Sequence, residues 1–138
     1  MTARGSTARE VQVTVDCADP RSLSEFWCEV LGYVIPPPPP GFDSWDAFRE
    51  TLPEHLRNSA SAAQDPEGVG PRVFFQRVPE GKTAKNRVHL DVQVGPDAMH
   101  AKADELVALG ATRIAEFDEP AGHWITMRDP EGNEFCVQ

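Results

Sequence analysis

The sequence predicts an α+β fold, two tandem βαβββ modules forming a curved mixed sheet around a cleft. Three observations carry that expectation. Residues 11–17, VQVTVDC, and residues 88–94, VHLDVQV, alternate apolar and polar with the period of a half-buried strand. Each run leads through a proline-bearing turn, Asp19-Pro20 or Gly95-Pro96, into an amphipathic helix closed by Leu-Gly, at 31–32 and 109–110. The tetrapeptide DPEG then stands once in each half, at 65–68 and 129–132. Gln12 matches His89 at an offset of 77 residues and the Leu-Gly pairs match at 78, a single insertion or deletion over a whole strand–helix unit.

In the first unit Leu23, Phe26, Trp27, Val30 and Leu31 fall on one helical stripe. Asp19 is placed to cap the helix, Pro20 suits its first position, and Gly32 stops it. In the second unit the stripe is Met99, Ala103, Leu106 and Val107, ended by Gly110. The second DPEG joins two strand-like runs, 123–128 and 133–138, as a hairpin turn; the first stands between 60–64 and 72–78. The first copy is longer by about thirteen residues. The surplus falls at Pro36–Pro40, which favours a stiff polyproline II spacer, and in the segment behind it. There Ser44 offers a cap, Trp45, Phe48 and Leu52 share a helical face, and Pro53 ends that turn and starts a short second one. The insert reads either as a lid over a cleft or as a flap packed on the core. The expected division is a flexible leader over 1–10, without the apolar stretch of a secretory signal. A single domain over 11–138 follows, with module 1 about 11–80, insert 36–58 and module 2 about 87–138.

The bulk numbers exclude several classes. A formal charge of −9 and 22 acidic against 13 basic residues disfavour nucleic acid and anionic membranes as partners. No apolar run reaches the length of a membrane span. Cys17, Cys28 and Cys136 form an odd set with no metal-like spacing, which suits reduced thiols in a cytoplasm.

With the helices on one face, the polar residues of the alternating strands face the other side: Gln12, Thr14 and Asp16 in one copy, His89, Asp91 and Gln93 in the other. They line a shared cavity if the sheets curl together and meet water if they stay flat.

The paired pattern, the FWCEVLGY helix end, the NRVHLDV strand and the terminal DPEGNEF turn resemble the vicinal oxygen chelate superfamily, and within it the glyoxalase-like domain proteins (the glyoxalase/bleomycin resistance/dioxygenase fold). The likeness runs from Val11 to Gln138. It implies a divalent metal held by four inward positions on the first, fourth, fifth and eighth strands, where two adjacent substrate oxygens displace water from the ion. Carried over, the first position is Gln12 and the fifth-strand position is His89, the implied metal ligands. The eighth-strand position, a glutamate in the family, is Cys136. The fourth-strand position is Gln76, or Phe74 or Phe75 after a slip of register. No carboxylate stands where the family has one, so a metal-free cavity is expected over a bound catalytic ion. Glu134, on the strand face of Cys136, completes a site only if the hairpin is shifted. The resemblance also implies a homodimer.

The implied substrate-binding set is Gln12, Gln76, Asp91, Trp45 and Cys136. Each has a plain structural reading beside it. His89 is a metal ligand or a hydrogen-bonded groove histidine. Asp91 is a general base or orients His89. Cys136 reads as an inert buried thiol rather than a nucleophile. Trp45 and Phe42 stack on an aromatic ligand or simply pack. His123 reads as a turn-end surface residue, and His55 and His100 are assigned no role. The favoured function is a small-molecule-binding protein with a degenerate metal site. The alternatives are a metal-dependent lyase, isomerase or dioxygenase on vicinal oxygens, and an interaction module recruited through the insert.

Overall fold

The structure, a computed structural model, describes residues 7–138. The first six positions of the expected leader lie outside the described residues. The first copy opens with β1 (Val13–Cys17) and α1 (Pro20–Leu31). The start of α1 is fixed as its sequence requires: Asp19 Oδ1 accepts from the Ser22 N–H at 3.1 Å, and Pro20 occupies the first turn. Its end is fixed by Gly32, which adopts φ 70°, a conformation costly for any residue with a Cβ. Leu23, Phe26, Trp27 and Val30 are buried, while Leu31 at the end of the stripe is only partly covered.

The insert forms α2 (Trp45–Glu50), capped by Ser44 Oγ on the Ala47 N–H at 3.0 Å, and one 3-10 turn over Glu54–Leu56 begun at Pro53. Two strands complete the copy, β2 (Ala60–Ala63) and β3 (Val73–Arg77). The second strand of the expected βαβββ unit is reduced to a single bridge, Val34 to Gln64. Five prolines without N–H groups follow Ile35, so a ladder has no donors with which to continue.

The second copy is complete: β4 (Leu90–Val92), α3 (Met99–Ala108), β5 (Thr112–Glu119), β6 (Gly122–Arg128) and β7 (Glu134–Val137). Helix α3 buries Met99, Ala103 and Leu106, but Val107 stays 44% exposed, so the stripe is narrower than its sequence suggests.

The copies share one topology. In the first, β1 runs parallel to β3, and β3 antiparallel to β2; in the second, β4 runs parallel to β7, followed by β6 and β5. The expected mixed sheet is present as two open sheets of three and four strands. One apolar core joins them, in which the Phe135 ring meets Trp27 at 5.0 Å and Phe26 at 6.2 Å. Polar contacts lock the same joint. Trp27 Nε1 donates to Asp129 at 3.0 Å, and the Glu131 carboxylate accepts from the Ala18 and Asp19 N–H groups at 2.6 and 2.9 Å. The second DPEG turn therefore sits on the entrance of α1. No helix among the described residues is long and apolar enough to cross a membrane.

Candidate functional site

The open face of the second sheet is set by the β4–β7–β6 register. Asp91 lies opposite Cys136, and Cys136 opposite Thr126, so the three form a row across the sheet. Leu90, Phe135 and Met127 point the other way, into the core. His89 stands one residue before β4 and turns its Nδ1 to Asp91 Oδ1 at 3.1 Å. The ligand atoms of His89, Asp91 and Cys136 lie within 4.8 Å of one another. Burial, together with the Asp91 carboxylate, raises the Cys136 thiol above its ordinary 9.0, against a smaller opposing effect from the Thr126 hydroxyl. Glu134, at the start of β7, forms an ion pair with Lys85 at 2.5 Å, which holds its carboxyl below the usual 4.5.

Two cavities meet at these residues. A slot of about 630 Å³ runs beside β1, lined by Thr14 and Asp16 on one side and by His89 and Glu134 on the other. A second cavity, about 600 Å³, lies over the open face of the second sheet, with Asp91, Trp124, Thr126 and Cys136 on its floor. His89 and Glu134 line both.

The remaining sequence-predicted residues are placed elsewhere. Gln12 precedes β1, lines neither cavity, and accepts at Oε1 from Arg72 Nη1 at 2.8 Å. On β3, Phe75 is fully buried, whereas Phe74 and Gln76 share the open face; Gln76 Nε2 donates to Asp16 Oδ1 at 2.8 Å. Trp45 belongs to a separate cavity of about 170 Å³ under the insert, where it and Phe48 cover Phe74, Ala60 and Ala62. Its Nε1 donates to the Pro36 carbonyl at 2.7 Å, and the Arg49 guanidinium lies over its ring. The insert thus borders a cavity over the open face of the first sheet. Lys85, Trp124 and Thr126 join the second cavity without having been singled out. Only the alternation of residues 123–128 pointed to the last two.

A family model described as a glyoxalase-like domain matches residues 12–138. The chain belongs to the glyoxalase-like domain family. Its fold neighbours agree. The fosfomycin resistance protein FosX from Listeria monocytogenes, in its monoclinic form at pH 6.5, superposes with a TM-score of 0.68 at 12% identity, over 95% of this chain and 92% of that one. A glyoxalase/bleomycin resistance protein/dioxygenase family enzyme from Burkholderia phytofirmans PsJN gives 0.65 at 16% identity, over 91% and 94%. A variant of Listeria FosX complexed with Mn(II) and a dihydroxypropylphosphonic acid gives 0.64 at 12% identity, over 92% and 86%. At these identities the likeness is one of fold. No curated protein is significantly similar in sequence.

The glyoxalase-like fold implies a divalent ion held between the modules, and the residues present do not fit one. Gln12 is engaged by a guanidinium, whose charge repels a cation at that position. Cys136 must lose its proton to ligate, and its surroundings favour the thiol. What is left is the His89 imidazole and the Asp91 carboxylate, already bonded to each other, and Glu134, held by Lys85.

Proposed function

We propose that this glyoxalase-like chain is a small-molecule-binding protein that holds a polar ligand in the slot between its modules without a catalytic metal. The observation that carries the reading is the slot itself, where Thr14 and Asp16 of the first module face His89 and Glu134 of the second. Its walls offer donors and acceptors from both modules, and its volume is that of an ordinary ligand pocket. Acidic side chains, Asp16, Glu80, Asp129, Glu131 and Glu134, outnumber Lys82 among the lining residues. A neutral, hydroxyl-rich or cationic ligand is therefore favoured over an anionic one. Two of the fold neighbours are named as fosfomycin resistance proteins and one as belonging to a bleomycin resistance family, so antibiotics belong in the screen.

The test is a thermal-shift screen of metabolites and antibiotics in the presence of chelator. At about a hundredfold excess over Kd, a true ligand raises Tm by several degrees. His89→Ala and Asp16→Asn should each reduce that shift. A panel without any stabilising compound, or a shift indifferent to both variants, overturns the proposal. The protein works in the cytoplasm as a homodimer under this reading, which light scattering on purified protein checks for the assembly.

A second reading, a metal-dependent lyase, isomerase or dioxygenase acting on vicinal oxygens, rests on the proximity of His89, Asp91 and Cys136 alone and requires them to give up their present bonds and the Cys136 proton. Under it, nickel, manganese or iron switches on turnover and His89→Ala abolishes it.

A further inference from the structure

The second sheet carries another cluster of metal-ligating side chains on its opposite face, of which only His123 also lines the second cavity. Strand β5 contains a one-residue bulge: Arg113 lies opposite Met127, but Ala115 lies opposite Thr126. The extra residue reverses the alternation beyond it. Glu116 consequently pairs with Ile125 and shares the face that packs under α3. His123, two residues before Ile125 on β6, is on that face too, and His100 descends from the first turn of α3. Both imidazoles aim Nε2 at the same carboxylate oxygen, Glu116 Oε2, at 2.8 Å from His100 and 2.6 Å from His123. The two rings stand edge to face with centroids 5.8 Å apart.

We propose that His100, Glu116 and His123 form a divalent transition-metal site that takes zinc, cobalt or nickel and clips the first turn of α3 to the β5–β6 hairpin. Two imidazoles and one carboxylate from three elements are an established donor set for such ions, whereas calcium and magnesium require oxygen ligands throughout. The ligand atoms already lie within 4.8 Å of one another. An ion with bonds of about 2.0–2.2 Å holds its ligand atoms roughly 3.3 Å apart in tetrahedral geometry. The present contacts of 2.6 and 2.8 Å need only open by roughly half an ångström. Each Nε2 gives up the proton it now shares with the carboxylate, to Nδ1 or to solvent, and coordinates the ion in its place; water fills the remaining position. Asp118 lies directly opposite His123 in the ladder and adds negative charge on the same face. The clip would act where α3 is weakest, because its N-cap residue, Ala98, provides no side-chain hydrogen bond. Trp124 and Thr126, which alternate with His123 along β6, belong to the other face. His123 also lines the second cavity, but His100 and Glu116 line neither cavity, and the cluster shares no ligand with that of His89, Asp91 and Cys136.

The experiment titrates tag-free, chelator-stripped full-length protein with Co(II) by visible absorbance and with Zn(II) by calorimetry. About one ion per chain is expected, with the ligand-field bands of a nitrogen–oxygen site. His100→Ala, Glu116→Gln and His123→Ala should each weaken binding by at least about tenfold and remove the rise in Tm that zinc confers. The double variant His89→Ala with Cys136→Ser should bind as the parent does. Far-UV circular dichroism and the metal-free Tm of each variant separate lost ligands from lost fold, and His123→Gln serves where alanine is not tolerated. Absence of binding at millimolar metal overturns the proposal. So does an ion that leaves with His89→Ala and stays with His100→Ala, an outcome that would favour the metal-enzyme reading instead.

Discussion

Single aspartates explain why DPEG occurs twice. Asp65 accepts from the Glu67, Val69 and Gly70 N–H groups, and Asp129 from those of Glu131 and Asn133. In each turn the carboxylate takes over donors that no ladder satisfies. The Gly70 and Glu67 N–H groups hold the Asp65 carboxyl below its ordinary 3.8. A carboxylate held lower in the folded chain than in the unfolded one adds stability that is full above its unfolded value and is lost as pH falls through its folded value. Glu116 and Glu134 are depressed in the same sense, by the two histidines and by Lys85 respectively. Thermal melts between about pH 4 and pH 2 should therefore fall less steeply for Asp65→Asn than for the parent, and an identical slope would remove Asp65 from the account. The thiols give a second test. Burial pushes Cys17 to about 12 and Cys28 to about 11, and Cys136 is raised as well. In native protein at pH 8 a disulfide reagent should modify all three far more slowly than a free thiol, and at the ordinary rate after denaturation.

Among the elements, α1 was the most legible, because stripe, cap and stop all sit within neighbouring residues of the chain. Its counterpart α3 was placed correctly, although its apolar face was read one residue too wide at Val107. Where the sequence misled, the cause was in one case local and in the others lay in partners distant along the chain. The second strand of copy one is missing because the proline run that follows it has no donors. Of the open-face residues expected either to line a shared cavity or to meet water, Thr14, Asp16 and His89 line one slot, whereas Gln12 is engaged by Arg72, and Gln76 on β3 by Asp16; the register that decides this cannot be seen in any strand alone. The trio of His100, Glu116 and His123 was overlooked, with His100 assigned no role and His123 read as a surface residue. Unbroken alternation would have put Glu116 opposite Trp124 on the cavity face, and one bulged residue sends it to the other. For the insert, Trp45→Ala removes the bond to the Pro36 carbonyl and the ring contacts to Phe48 and Arg49. The expected cost is about 2 kcal/mol in urea denaturation, with faster proteolysis confined to residues 36–58.

At the scale of the molecule, the duplicated modules are expected to unfold as one cooperative body, because the residues that join them are among the largest in the core. Phe135→Ala leaves a cavity against Phe26 and Trp27 from the other module and should cost about 3–5 kcal/mol. Its loss should lower one unfolding transition rather than split it in two, with tryptophan fluorescence and far-UV circular dichroism changing together. Two separate transitions would show modules that stand alone.

The roof that α2 places over the first sheet has a further consequence. Duplication by itself would create two equivalent open faces related by a pseudo-twofold axis, and a ligand could lie across them in either of two directions. With Trp45 and Phe48 lining a cavity beside Phe74 in one module only, the two faces differ: apolar side chains of the insert border one, and His89, Asp91 and Cys136 the other. A guest that spans the two modules therefore meets a chemically polarised host, with an apolar recess beside one module and ionisable groups on the other, and has one way round to bind.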